Sequence, residues 1–478
     1  MGAPKTYVKR RRALLRTILG GSFALGAMAV GCGSSGDEAA SVPPPAELPK
    51  DTFGPRTDAE ASCRGLECNQ VWCGATGTTS LSGKVYDPSG TVPLYNAIVY
   101  IPNGELAPFA PGVTCDKCGT TPSGAPIATA LTDAKGDFTL KNVPVGVDVP
   151  IVVQIGRWRR KVTIPGSAVN QCADAKLSIG TTRLPRTKAE GDIPKIAITT
   201  GGADSLECFV RKLGIETEMT NPAGSGRVHI YQGKNSEGAV GENKDGSKID
   251  AMTPAANALW DDPARLKTYD MVILACEGSE NPATKSQQAR ANLKEYLDAG
   301  GRLFASHYHY EWFKNGAKPL PSTAIWGGES VSDTNSDVSI DTSFAKGVAF
   351  SSWLDEVDAT TAPSSGIVQM TALRTSITQV PGVGGGVDTS RRWLYTPSGP
   401  KFYSFNTPIG VPAAEQCGRG VFTDIHVSSG DLQGGIFPAN CTTSGFTPQE
   451  KALLFLMMDL ASCIQDDKTA PEPPPPVK

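Results

Sequence analysis

Two stretches decide the fold: Tyr269-Asp270-Met271-Val272-Ile273-Leu274-Ala275-Cys276-Glu277-Gly278 and Glu295-Tyr296-Leu297-Asp298-Ala299-Gly300-Gly301-Arg302-Leu303-Phe304-Ala305-Ser306-His307-Tyr308-His309-Tyr310-Glu311-Trp312. The first holds a short apolar run, and residues 266–275 read as a strand buried on both faces. The second closes a helix over residues 287–299, with Ala291, Leu293, Tyr296 and Leu297 near one face and Gly300-Gly301 as its stop. It restarts at once as a strand over residues 302–306. Strand, helix, strand in succession predicts a mostly parallel sheet. The pattern extends both ways. Residues 194–199 form an apolar strand ending at Gly201-Gly202, with Asp204 as cap of a helix over 205–213. Residues 227–231 and 420–426 read as further strands. Thr447-Pro448-Gln449-Glu450 is a capping box opening the last helix, which runs to Cys463.

Upstream, residues 79–185 follow another period. Short runs of alternating apolar residues are separated by turn signals such as Asp87-Pro88-Ser89-Gly90, and no helical period competes, so an antiparallel β-sandwich is predicted. The basic run Arg157-Trp158-Arg159-Arg160-Lys161 reads as a solvated strand face, with an anion-binding patch as the alternative.

Both segments resemble known families. The ordered set Ser82-Gly83-Lys84-Val85-Tyr86-Asp87-Pro88-Ser89-Gly90, then Ala97-Ile98-Val99-Tyr100-Ile101-Pro102, then residues 132–146 (TDAKGDFTLKNVPVG) resembles the carboxypeptidase regulatory-like, transthyretin-like family. That resemblance implies a non-catalytic module, and no His-x-x-Glu zinc-peptidase motif accompanies it. The stretches quoted first, with Gly418-Arg419-Gly420-Val421-Phe422-Thr423-Asp424-Ile425-His426 before the final helix, resemble the class I glutamine-amidotransferase-like superfamily and its trehalose-utilisation (ThuA-like) branch. A flavodoxin-like sheet is implied. Polar insertions at residues 234–252 and 315–341 depart from the compact pattern.

Amidotransferase chemistry is not expected. The turn where that family carries its nucleophilic cysteine holds Ser306-His307 here, and Val427-Ser428 replaces the proline and glutamate that follow the partner histidine, whose place His426 takes. What remains is a constellation at the carboxyl ends of strands, where open α/β sheets bind ligands. His307, His309 and His426 are the candidate catalytic residues. Thr200, Gly201, Glu277, Glu311 and Asp424 are the candidate ligand-binding residues. If the chain is extended there, His307 and His309 share a face, as do Asp424 and His426. The donor types suit either acid–base work or a metal, but no metal or cofactor is assigned. His229 reads as structural.

Composition sets the remaining limits. Net charge is −3, from 45 Lys+Arg and 48 Asp+Glu over 478 residues, which gives no field for nucleic acid. Residues 1–32 carry six of those basic residues, no acidic ones, and an apolar stretch over 17–31, the pattern of a signal peptide. Without them the balance is 39 to 48, a net charge of −9. Ala29-Val30-Gly31-Cys32 resembles a lipobox, making Cys32 the expected lipidation site. Cleavage after Ala29 is the alternative. Arg11-Arg12 leaves twin-arginine and general export both open. Residues 33–60 read as a flexible linker, 61–78 as a Cys-rich segment, 193–465 as the α/β domain and 466–478 as a Pro-rich tail.

Eleven cysteines follow Cys32. Export makes disulfides the default for them, and the odd number leaves one free or paired between chains, with Cys276 the candidate. A zinc knuckle at Cys115-x-x-Cys118 lacks the second such pair it needs. The expected protein is exported and lipid-anchored in the envelope, at the outer membrane or in the periplasm. Its partners are the membrane and a small, carbohydrate-like ligand. A sugar-active hydrolase or isomerase, or an adhesion or scaffold protein, are the alternatives.

Overall fold

The computed structural model describes residues 63–75, 77–234, 245–332, 335–382, 388–426, 437, 441 and 445–477. The segments expected to be signal peptide and linker, with Cys32 and Val427-Ser428, lie outside the described residues. No helix among the described residues is long and apolar enough to cross a membrane.

Seven strands make up the N-terminal part: β1 (Ser80–Lys84), β2 (Ile98–Pro102), β3 (Pro126–Leu131), β4 (Asp137–Lys141), β5 (Val149–Ile155), β6 (Trp158–Ile164) and β7 (Asp174–Lys176). They form two sheets, ordered β4-β1-β7 and β3-β2-β5-β6, and β4 lies against β2 and β3 of the other sheet. Alternation does what the sequence requires of it: in β4, Phe138 and Leu140 are buried while Asp137, Thr139 and Lys141 are exposed. Every pairing is antiparallel except β1 with β7. β3 escaped the sequence reading because Pro126, Ala128 and Ala130 are poor strand formers, held here by pairing with β2.

The rest of the chain begins with β8 (Ile196–Thr200), α1 (Leu206–Lys212), β9 (Met219–Thr220), β10 (Val228–Gln232), α2 (Asn257–Trp260), α3 (Pro263–Leu266), β11 (Met271–Leu274), α4 (Gln287–Asp298), β12 (Arg302–Ser306) and α5 (Glu311–Lys314). It continues with β13 (Ile325–Ser332), β14 (Ser336–Ile340), α6 (Ala345–Glu356), β15 (Ile367–Met370), β16 (Leu373–Gln379), β17 (Arg391–Thr396), β18 (Gly399–Thr407), β19 (Gly418–Thr423) and α7 (Pro448–Ala461). One ten-stranded sheet dominates, ordered β15-β14-β17-β18-β19-β12-β11-β8-β10-β9, and β13 and β16 form a separate antiparallel ribbon. From β19 to β9 every neighbour is parallel. From β15 to β19 every neighbour is antiparallel.

The sheet is therefore parallel in one part and antiparallel in the other, not mostly parallel throughout. The antiparallel strands grow partly out of the segment read as a polar insertion. There Ser336-Asp337-Val338-Ser339-Ile340 alternates polar with apolar and buries Val338 and Ile340. The strand predicted over residues 266–275 is shorter for a local reason. Asp262 caps α3 by accepting from the backbone of Ala264 and Arg265, so Leu266 ends a helix instead. The capping box at Thr447 and Glu450 forms as expected.

Burial is two-sided. Ile196, Ile198, Met271, Ile273, Phe304 and Val421 face a core shared with α1, α6, α7 and the N-terminal sheets. Ala197, Val272, Leu274, Leu303, Ala305 and Phe422 alternate to the other face, against α2, α4 and α5. The N-terminal sheets and the α/β part belong to one unit, residues 62–478. Tyr95 stacks on Phe455 at 5.6 Å, and Trp353 Nε1 donates to the Pro93 carbonyl. Disulfides Cys115–Cys417 and Cys118–Cys463 cross the seam, while Cys63–Cys68, Cys73–Cys172 and Cys208–Cys441 close local or intermediate loops. Cys115-x-x-Cys118 thus serves two disulfides. The basic run is a solvated face only in part: Lys161 is exposed, but Arg157 pairs with Asp270 at 2.7 Å across the seam and Arg159 is buried against Asp192. The Pro-rich tail returns to β3, where Val477 donates to the Pro126 carbonyl.

Candidate functional site

Three adjacent parallel strands end in the residues that meet. β11 runs out through Ala275 to Cys276, β12 ends at Ser306 before His307, and β19 runs out through Asp424 to His426. Leu274, Ala305 and Phe422 are register partners, which carries Cys276 and His307 to the same level two residues on. His307 leaves its strand with φ +38°, the left-handed region that costs a non-glycine residue on the order of 1 kcal/mol. That turn starts a single 3-10 turn, His307–Tyr310, so residues 307–309 are not extended and the two histidines point apart.

His307 Nδ1 lies 3.2 Å from His426 Nε2 and 3.5 Å from Cys276 Sγ. Beside them, Ser306 Oγ donates to Asp204 Oδ2 at 2.7 Å. The N-cap position of α1 falls on Ser205, one residue after Asp204. Asp424 is fully buried and accepts from the Ser376 amide at 2.8 Å and its hydroxyl at 2.6 Å. Burial pushes its carboxyl up, while the Ser376 bonds and His307 act against that rise. Burial likewise pushes the Cys276 thiol up to about 12, so the bare thiol is no thiolate nucleophile near neutrality. Cys276 is the free cysteine among the described residues, as the odd count requires.

The other expected site residues are spent on structure. His309 donates from Nε2 to the Ala275 carbonyl at 2.9 Å and accepts at Nδ1 from Trp312 at 3.1 Å, and burial lowers its pKa to about 4. Glu311 pairs with Arg290 at 2.5 Å. Glu277 forms a buried ion pair with Lys285 at 2.7 Å and accepts the Lys234 amide at 3.0 Å. Thr200 Oγ1 donates to the Ser247 carbonyl at 2.9 Å. Gly201 is a packing requirement: a Cβ there would sit 2.0 Å from the Cys276 carbonyl oxygen. We expect Gly201→Ala to force β8 and β11 apart and destabilise the protein by about 1–3 kcal/mol in urea unfolding. An unchanged midpoint would show that the turn yields freely. His229 bonds Tyr269 and the Gly226 carbonyl, the structural role expected of it.

The sequence predicts Cys276 as the odd cysteine but not as a neighbour of the histidines, and it does not connect Ser306 with Asp204. Aligning the strand ends by register would have found the cysteine. The Ser306–Asp204 pair left no signal, because it joins turns 102 residues apart. Glu207, on α1, is a further buried carboxyl, bonded by Ser247 Oγ at 2.7 Å and pushed up to about 7 by desolvation. A raised folded pKa in an acid means that the folded state holds its proton longer than the unfolded state. Stability contributed by the neutral form is then present below the unfolded pKa of 4.5 and is lost as pH rises towards 7. Glu207→Gln should remove that decline, so its gain over the parent in thermal unfolding grows between pH 5 and pH 8, to at most about 3 kcal/mol. Parallel pH profiles for the two proteins would refute the assignment.

A cavity of about 350 Å³ opens at the seam, lined among others by Phe109, Gln154, Arg157, Arg159, Cys118 and Pro474. It shares no lining residue with the histidine cluster. Comparison of the chain with protein-family models and with curated proteins gives no match.

Proposed function

We propose that this is an exported, lipid-anchored envelope protein whose α/β part binds a small polyol or sugar-like ligand around His307 and His426, without amidotransferase chemistry. The observation that carries the reading is the meeting of His307, His426 and Cys276 at the carboxyl edge of adjacent parallel strands, with Ser306–Asp204 alongside. Parallel strands in the order β10-β8-β11-β12-β19 follow the flavodoxin-like 2-1-3-4-5 arrangement, whose ligands sit at this edge. The two N-terminal sheets are consistent with a transthyretin-like sandwich, and the strand-end motifs with the ThuA-like branch. A histidine at the strained turn supports binding over thiol catalysis. Five disulfides and the excess of acidic residues suit an oxidising, extracytoplasmic setting.

Calorimetric titration of residues 62–478 with a panel of mono- and disaccharides tests the binding. We expect heat with at least one sugar and its loss in His307→Ala/His426→Ala; silence across the panel would overturn the reading. Incorporation of labelled fatty acid, abolished by Cys32→Ala, tests the anchor. Secretion without label would leave ordinary cleavage in its place.

A further inference from the structure

We infer that Cys276, His307 and His426 hold one divalent ion of the zinc class, with a fourth position left open to water or ligand. Their donor atoms, Sγ, Nδ1 and Nε2, all lie within 4.8 Å of one another. Zinc bonds of about 2.0–2.1 Å to nitrogen and about 2.3 Å to sulfur, at tetrahedral angles, put neighbouring donors roughly 3.3–3.6 Å apart. The two separations from His307 Nδ1, 3.2 Å to His426 Nε2 and 3.5 Å to Cys276 Sγ, fit that geometry, and Sγ and Nε2 lie within 4.8 Å of each other.

His307 Nδ1 offers either one hydrogen or one lone pair in the ring plane, so as a hydrogen-bonding atom it serves the Cys276 thiol and His426 Nε2 only by sharing that one position between them. A cation at the centre uses all three lone pairs at once. His307 then carries its hydrogen on Nε2 and His426 carries its own on Nδ1. Cys276 loses its thiol proton to solvent as the sulfur–metal bond forms, and nothing is oxidised or reduced. The site's charge becomes +1, and two buried carboxyl groups lie close by: Asp204, bonded to Ser306, and Asp424, two residues before His426. The donor set selects the ion. Sulfur with two imidazoles suits zinc, whereas magnesium and calcium demand oxygen. Three strand ends fix the ligands, so the site is set by the sheet and not by a mobile loop.

His309, Glu311 and Glu277 are not ligands, since each is committed to the partners described above. The inference does not depend on the sugar reading: a metal can load whether or not any polyol binds.

The test uses the full chain with its disulfides intact, stripped with a chelator and dialysed. Zn²⁺ alone is titrated by calorimetry and Co²⁺ alone by absorption. One ion per chain is expected, with Co²⁺ giving a thiolate charge-transfer band and the intense visible bands of four-coordination. Cys276→Ser should abolish the charge-transfer band. His426→Gln should weaken zinc on the order of tenfold or more, since losing even a partner that only orients a ligand costs that much. His229→Gln, at a histidine bonded elsewhere, should leave the isotherm unchanged. Absence of stoichiometric uptake overturns the inference, and so does zinc binding that survives both Cys276→Ser and His426→Gln. Should Cys276→Ser fail to fold, His426→Gln at its half-buried ring carries the test.

Discussion

Replacing Arg419 with methionine should destabilise the protein by about 3–5 kcal/mol, the cost of stripping one partner from a buried ion network. Arg419 stands on β19 and is 2% exposed. Its guanidinium reaches Asp467 at 2.8 and 3.0 Å, Asp459 at 2.7 Å, Ser404 at 3.0 Å and Asn406 at 3.1 Å. Lys346 on α6 closes the network, 2.7 Å from Asp459 and 2.9 Å from Asp467. Two cations and two carboxylates balance, and each of four elements brings one of them: β19, α6, α7 and the segment after α7. Methionine fills similar volume but leaves two carboxylates facing a single lysine in the interior. Chemical unfolding should show the loss as a lower midpoint at constant slope; a change under 1 kcal/mol would mean water already screens the network.

The same cluster sets a limit on the acid side. Burial alone would raise the Asp467 carboxyl, but Arg419 and Lys346 outweigh it and hold the group well below its ordinary value of 3.8. A depressed folded pKa contributes stability that is present above the unfolded pKa and is lost as pH falls through the folded one. Acid unfolding of the parent should therefore steepen below pH 3.8, and in Arg419→Met that dependence should shrink.

Removing both seam disulfides, as Cys115→Ser/Cys417→Ser with Cys118→Ser/Cys463→Ser, should cost about 9 kcal/mol. Their sequence separations are 302 and 345 residues. Cys208–Cys441 shortens the loop that either bridge closes to roughly 115 residues, which in the chain-entropy account restrains the unfolded state by about 5 kcal/mol. The pair is not redundant. With one bridge intact, the other closes a loop of roughly 50 residues, the stretches 115–118 and 417–463 joined end to end, still about 4 kcal/mol. Each single removal should lower the guanidinium midpoint moderately, while the double removal approaches the whole stability of an ordinary domain. A double variant within 2 kcal/mol of the parent would refute the seam as the main crosslink. Tyr95 on Phe455, Trp353 on Pro93 and Arg157 on Asp270 would then be sufficient.

Local chemistry made much of this protein legible. The apolar run at residues 271–274, the glycine stop at Gly300-Gly301 and the capping box at Thr447 and Glu450 each act within a few residues, so they read directly as strand, helix end and helix start. The antiparallel extension was not read, because the alternation of β14 covers only five residues within a polar stretch and its sheet neighbours β15 and β17 lie further along the chain. The same division runs through the site. Residue type and strand-end position singled out His307 and His426, and they do meet. His309 has the same type and nearly the same position, but the turn at His307 sends it into the interior, to the Ala275 carbonyl and Trp312.

By itself the sequence determined the parallel strands, the odd cysteine, and the edge of the sheet where histidines gather. Tertiary structure alone decided which residues share a point in space. Cys276 joins the histidines because parallel register sets β11 and β12 level, and Arg419 meets Asp467 because α7 returns the chain beneath β19. Contacts between residues tens or hundreds apart depend on how strands are ordered in the sheet. That order is a property of the packed core, and no local period in the chain encodes it.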